Sequence, residues 1–96
     1  SNTNDMEKQI RYVQNDIAMW KYAARLFPDR WTANAQDLQY YLHYRAFAIA
    51  FKYGDRKRAL SEVKLMGEEY KRKNKWKIIA AHSAILSMLW RQYKKV

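Results

Sequence analysis

Three residues in this chain break helices through their backbone chemistry, and they stand far apart: Pro28, Gly54 and Gly67. Ninety-six residues with one Pro and two Gly cannot supply the turns that a many-stranded sheet needs, so the sparse punctuation predicts long helices. The apolar residues agree. Met6, Ile10, Val13, Ile17, Trp20, Ala24 and Phe27 recur at alternating spacings of three and four, the repeat of one helix face. The first helix is therefore expected over 4–27, with Lys8, Gln14, Asn15, Lys21 and Arg25 on its other faces. Asp5 and Glu7 lie near its start, where they suit the helix dipole. Pro28 ends it, because the residue before a proline disfavours helical geometry.

Residues 28–34 read as the longest connection, with Thr32 or Asn34 available to cap the next helix and Trp31 as a lid over the end of the core. A second helix is expected over 35–53. Leu38, Leu42, Ala46, Ile49 and Tyr53 form one stripe and Tyr41, Tyr44, Ala48 and Phe51 another. Two stripes place this helix at the centre, against more than one neighbour. Gly54 favours the left-handed turn that follows a helix, and Asp55 is a natural N-cap. The short link predicts a helical hairpin with a third helix over 55–73, whose buried face is Ala59, Leu60, Val63, Met66, Gly67 and Tyr70. Gly67 inside that helix calls for a close approach by a neighbour, since glycine costs a helix interior about 1 kcal/mol relative to alanine. A fourth helix is expected over 75–93, where Trp76, Ile79, Ser83, Leu86, Trp90 and Tyr93 repeat and Ile78, Ala81, Ile85 and Leu89 widen the face. The fold expected is all-α: one domain, an antiparallel bundle of four helices made of two stacked hairpins. The terminal face is wider than one hairpin covers, so Trp76, Ile79, Leu86, Trp90 and Tyr93 are the candidate apolar interface.

Composition narrows the chemistry. Hydrophobic residues are 49% of the chain and aromatics 16%, enough for a packed core. The chain has no cysteine, which excludes disulfides and thiolate metal sites and permits a reducing compartment. No apolar run approaches the roughly 18–20 residues needed to cross a bilayer. The start of the chain lacks the layout of a secretory signal, and Ser1-Asn2 reads as a cloning remnant. The chain is therefore expected to be a fragment, with the active part of its parent elsewhere, and a cytoplasmic location is expected. His43 and His82, the two histidines, have no Cys, Asp or second His at ligand spacing; both sit on otherwise apolar helices and read as partly buried and hydrogen-bonded to their surroundings. No glycine-rich phosphate loop precedes a helix. No catalytic residue, metal or cofactor is assigned.

The net charge of +10 is uneven: residues 1–53 hold seven Lys/Arg against five Asp/Glu, and residues 54–96 hold twelve against four. Such asymmetry points to an anionic neighbour for the C-terminal half. The candidate contacts are Arg56, Lys57 and Arg58 at one pole, Lys71, Arg72, Lys73, Lys75 and Lys77 at the other, and Lys94 and Lys95 near the end. Glu68 and Glu69 read as surface partners of the neighbouring cations. Two poles suit an anionic membrane better than a DNA groove, which asks for a continuous basic stripe; nucleic acid remains the alternative partner.

The stretch from Tyr44 to Leu60, with Gly54-Asp55 at its turn and Ala59-Leu60 one turn on, resembles the middle of a tetratricopeptide hairpin. No second copy follows at a period of about 34 residues. Residues 5–95 as a whole resemble the helical region that follows the catalytic domain in bacterial family 2 glycosyltransferases. The likeness rests on a Tyr-rich helix, the Tyr53-Gly54-Asp55 turn with Ala59-Leu60, and the basic aromatic run Leu89-Trp90-Arg91-Gln92-Tyr93-Lys94-Lys95. That resemblance implies a parent transferase using a sugar nucleotide at the inner membrane face. It assigns this chain a non-catalytic accessory role, since the family's Asp-x-Asp motif and catalytic base are absent here. The partner would be the parent's catalytic domain, a second copy, or the membrane; a generic protein-interaction bundle is the further alternative.

Overall fold

The structure is a computed structural model that describes the backbone of residues 2–95 and the side chains of residues 4–30 and 35–93. Among the described residues the only regular elements are helices: α1 (Asn2–Leu26), α2 (Pro28–Lys52), α3 (Arg56–Val63), α4 (Gly67–Lys73), α5 (Lys75–Ala81) and α6 (Ala84–Lys95). The all-α expectation holds. The four-helix arrangement is corrected, because the expected third and fourth helices are each broken in two.

Pro28 ends α1 and also begins α2. Phe27, the residue before it, leaves helical geometry at φ −130° and ψ 64°, and Pro28 occupies the first turn of α2. Proline's missing N–H costs nothing there, and its fixed φ already suits a helix. The connection expected over 28–34 is therefore helix, and Thr32 and Asn34 lie inside it rather than at a cap. The Trp31 side chain, expected as a lid, falls outside the described residues.

α2 is the central element and faces two cores, but of the expected second stripe only Phe51 is buried: Tyr41 is exposed, and Phe47 and Ala50, in neither expected stripe, take the inner positions. Leu42 and Ala46 pack with Val13 and Ile17 of α1. Phe47, Ala50 and Phe51 pack with Met6, Ile10, Ala59, Met66, Ala80 and Ala81. The many alanines let backbones approach closely. Aromatics fill the remaining space: Tyr44 stacks on Tyr70 with ring centroids 5.0 Å apart, and Trp90 meets Phe51 edge-on at 6.2 Å.

The Gly54-Asp55 turn forms as the sequence indicates. Gly54 adopts φ +83°, the Asp55 N–H reaches back to the Ala50 carbonyl at 2.9 Å, and the Asp55 carboxylate accepts the Arg58 N–H at 3.1 Å. Gly67 departs from expectation. Its φ is +79°, so it marks a break after 64–66 instead of a position inside a continuous helix. The close approach is real: an added Cβ would stand 2.8 Å from the Tyr40 ring. The second break falls at His82-Ser83. The Ser83 hydroxyl accepts the Leu86 N–H at 3.2 Å and so starts a new helix. Arg56 closes the preceding one, its Nε donating to the Ala81 carbonyl and its Nη2 to the His82 carbonyl, both at 3.0 Å.

Candidate docking surface

Breaking the chain at His82-Ser83 folds α6 back beside α5 and decides which side of α6 meets the protein. Ser87 is 1% exposed, and its hydroxyl donates to the Ala80 carbonyl at 2.7 Å. Trp90 and Arg91 lie beside it, half-buried, with the Arg91 guanidinium against Gly54. The seam that docks α6 is thus built from a serine, an arginine and one indole. Ile85, Leu86, Leu89 and Tyr93 occupy the opposite side and are exposed, Tyr93 at 78%. The helix is amphipathic in the reverse sense for a globular protein: its aliphatic face looks outward.

Trp76, Ile79, Leu86, Trp90 and Tyr93, the five residues expected as an apolar interface, line a single groove between α5 and α6 together with Ala80 and Leu89. Its volume is about 600 Å³, and Trp76 is 68% exposed at its edge. A smaller cleft of about 260 Å³ adjoins it, lined by Lys73, Asn74, Trp76, Lys77 and Trp90. The two indoles therefore separate an aliphatic trough from a cationic one.

The expected cation contacts do not stay together. Arg56 is spent inside the fold as the cap of α5, and Arg58 reaches Glu7 of α1 at 3.4 Å. The Lys77 ammonium lies over the Phe51 and Phe47 rings, 5.3 Å and 5.8 Å from their centroids, at the edge of the core. Lys71 and Lys73 pair with Glu68 and Glu69 at 3.3 Å and 3.0 Å on the surface of α4. Lys57, Arg72, Lys73 and Lys75 are exposed, and the last three ring the α4–α5 turn beside Trp76; the Lys75 ammonium is 5.4 Å from that indole. The side chains of Lys94 and Lys95 fall outside the described residues. The Lys73 ammonium holds the Glu69 carboxyl below the usual carboxylate range, first by its hydrogen bond and then by its charge.

The histidines differ from each other. His43 Nδ1 and Glu62 Oε2 lie 2.7 Å apart, tying α2 to α3 in a half-buried pair. His82 stands exposed in the break between α5 and α6, not within an apolar helix as expected. Among the described residues no group of three His, Cys, Asp or Glu side chains gathers to hold a metal, and no helix is long and apolar enough to cross a membrane.

The sequence reading missed a second apolar stripe on α1, made of Tyr12, Met19, Tyr22 and Leu26, all exposed. The signal was present in the spacing but was masked by the stronger buried stripe running along the same helix. No family profile, curated protein or solved structure matches this chain.

Proposed function

We propose that this chain is a non-catalytic accessory domain that rests on an anionic membrane surface through the α5–α6 face, with a membrane-associated glycosyltransferase as its parent. The observation that carries the reading is the inverted helix α6, which turns Ile85, Leu86, Leu89 and Tyr93 away from the protein. Apolar area of this kind, with Trp76 and Tyr93 exposed on it and Lys73 and Lys75 beside it, matches what the headgroup layer favours. Each cation held near an anionic leaflet adds about 1 kcal/mol, and the charge of the C-terminal half supplies several. The parent's identity rests on the sequence resemblance alone.

Flotation with vesicles containing phosphatidylglycerol, against pure phosphatidylcholine, tests this reading. The expected result is recovery with the anionic vesicles that falls as salt rises and is lost in the double variant Leu86→Gln/Leu89→Gln. Equal recovery from both vesicle types, insensitive to salt, overturns it. The concavity of the groove favours one second reading, in which an apolar helix of the parent's catalytic domain fills it. In that case the double variant abolishes association with that domain while vesicles never recover the protein. Nucleic acid has less support, because the exposed cations Arg72, Lys73 and Lys75 gather at the α4–α5 turn instead of running as a continuous stripe.

A further inference from the structure

Helix α1 carries two seams. Met6, Ile10, Val13 and Ile17 are buried against the body. Lys8, Tyr12, Asn15, Met19, Tyr22 and Leu26 follow at spacings of four, three, four, three and four, and all six are exposed. At 100° per residue this second set lies about half a circumference from the first. A repeat of that kind along five helical turns is the pattern of a helix that packs on both sides, and α2 covers one of them.

We propose that the outer seam of α1 binds a second copy of this chain, with the two α1 helices antiparallel. Charge selects both the occupant and the direction. The half of the chain that contains α1 is close to neutral, with seven Lys/Arg against five Asp/Glu, while the other half holds twelve against four. α1 itself is close to neutral, with Lys8, Arg11, Lys21 and Arg25 against Asp5, Glu7 and Asp16, so two copies of a +10 chain meet there with less repulsion than through the cationic half. The cationic half packs at the N-terminal end of α1, where Met6 and Ile10 join the α3–α5 core, Gln9 Nε2 donates to the Tyr53 hydroxyl at 2.9 Å, and Glu7 meets Arg58. Parallel pairing would set the two cationic halves side by side. Antiparallel pairing sends them to opposite ends of a helix about 37 Å long, several times the Debye length of about 8 Å at physiological salt. It also sets Tyr12 opposite Tyr22 of the second copy and Asn15 opposite its Met19, an aromatic pair at each side of a centre of alternating asparagine and methionine. This contact is independent of the membrane reading, because the α5–α6 face takes no part in it.

The test uses the absence of native cysteine. Sedimentation velocity across a concentration series is expected to show a reversible dimer. Met19→Glu, which sets a carboxylate into the seam, is expected to weaken it by about tenfold or more, with helical circular dichroism and the melt of the dilute protein unchanged. Leu86→Gln/Leu89→Gln is expected to leave the dimer intact. Tyr12→Cys and Tyr22→Cys proteins, oxidised as a mixture, are expected to join to each other far faster than either joins to itself. A monomer at every concentration overturns the proposal. So does a dimer that survives Met19→Glu, one that is lost in the α6 double variant, or preferential Tyr12→Cys self-linkage.

Discussion

The two halves of this molecule handle apolar side chains in opposite ways. In the α1–α2 hairpin, long uninterrupted helices bury their main stripes, so Ile10 and Val13 are almost wholly enclosed. From α3 to α6 the helices are short, the breaks at 64–66 and 82–83 wrap them around α2, and the buried residues are the small Ala59, Ala80, Ala81 and Ser87 with one large side chain, Met66. Small residues let the short helices come close, and at the α5–α6 end they leave large ones outside. Hydrophobicity is therefore a poor guide to which residues hold this protein together: the first half buries one aliphatic stripe and leaves Met19 and Leu26 outside, while the α5–α6 end of the second leaves most of its aliphatic side chains on the surface.

That contrast breaks if aliphatic truncations cost the same in both halves. Ile10→Ala removes a fully buried side chain from the junction of α1, α2 and α3 and is expected to cost about 2–5 kcal/mol. Leu89→Ala removes a similar number of atoms from the outward face of α6, where the surface-substitution range of about ±0.5 kcal/mol applies. Urea unfolding of the two variants measures both. A loss above about 2 kcal/mol for Leu89→Ala would show that α6 is held by its aliphatic face after all.

A smaller effect sharpens the account of the breaks. Gly67→Ala forces a side chain into a positive φ and against the Tyr40 ring, so it is expected to cost about 1–3 kcal/mol. Inside a continuous helix the same change would instead add stability, by roughly 1 kcal/mol of helix propensity. The sign of the measured change thus separates the broken arrangement from the unbroken one.

The sequence shows the buried stripe of α1 and the end of α2 plainly, misplaces residues 28–34 outside the helix, and shows the second half poorly, for a reason visible in particular residues. Pro28, Gly54 and Asp55 act through local backbone chemistry, so their effects can be read without knowing the fold. The Trp76, Ile79, Ser83, Leu86, Trp90 and Tyr93 spacing runs unbroken across Ser83, and nothing in that period distinguishes one long helix from two short ones. Ser83 reads as a member of the stripe because a serine in an apolar run can equally be a gap or a cap; its hydroxyl shows its role only once it meets the Leu86 N–H. Arg56 reads as surface charge, yet its partners are carbonyls 25 and 26 residues away. Arg58 and Glu7 are 51 residues apart. The five groove residues could be named from spacing, but the direction they face depends on Ser87 being the residue that docks.

The smallest expected effect concerns how the second half holds its charge. Its α4 surface relies on local pairs, and Lys73 holds the Glu69 carboxyl below its ordinary range. A depressed carboxylate stabilises the fold while pH stays above the unfolded value, and the contribution disappears as pH falls through the folded one. Glu69→Gln should therefore lower the melting temperature slightly at pH 7, with the difference closing in acid as the unsubstituted chain loses the ion pair that the variant lacks. Added salt should narrow the same gap at pH 7, because the pair is exposed and screened. A difference that persists unchanged from neutral pH into acid would assign the effect of Glu69 to helix propensity rather than to Lys73. The surface of the second half would then owe nothing to its ion pairs, and its crowded cations would stand as a cost that only an anionic partner offsets.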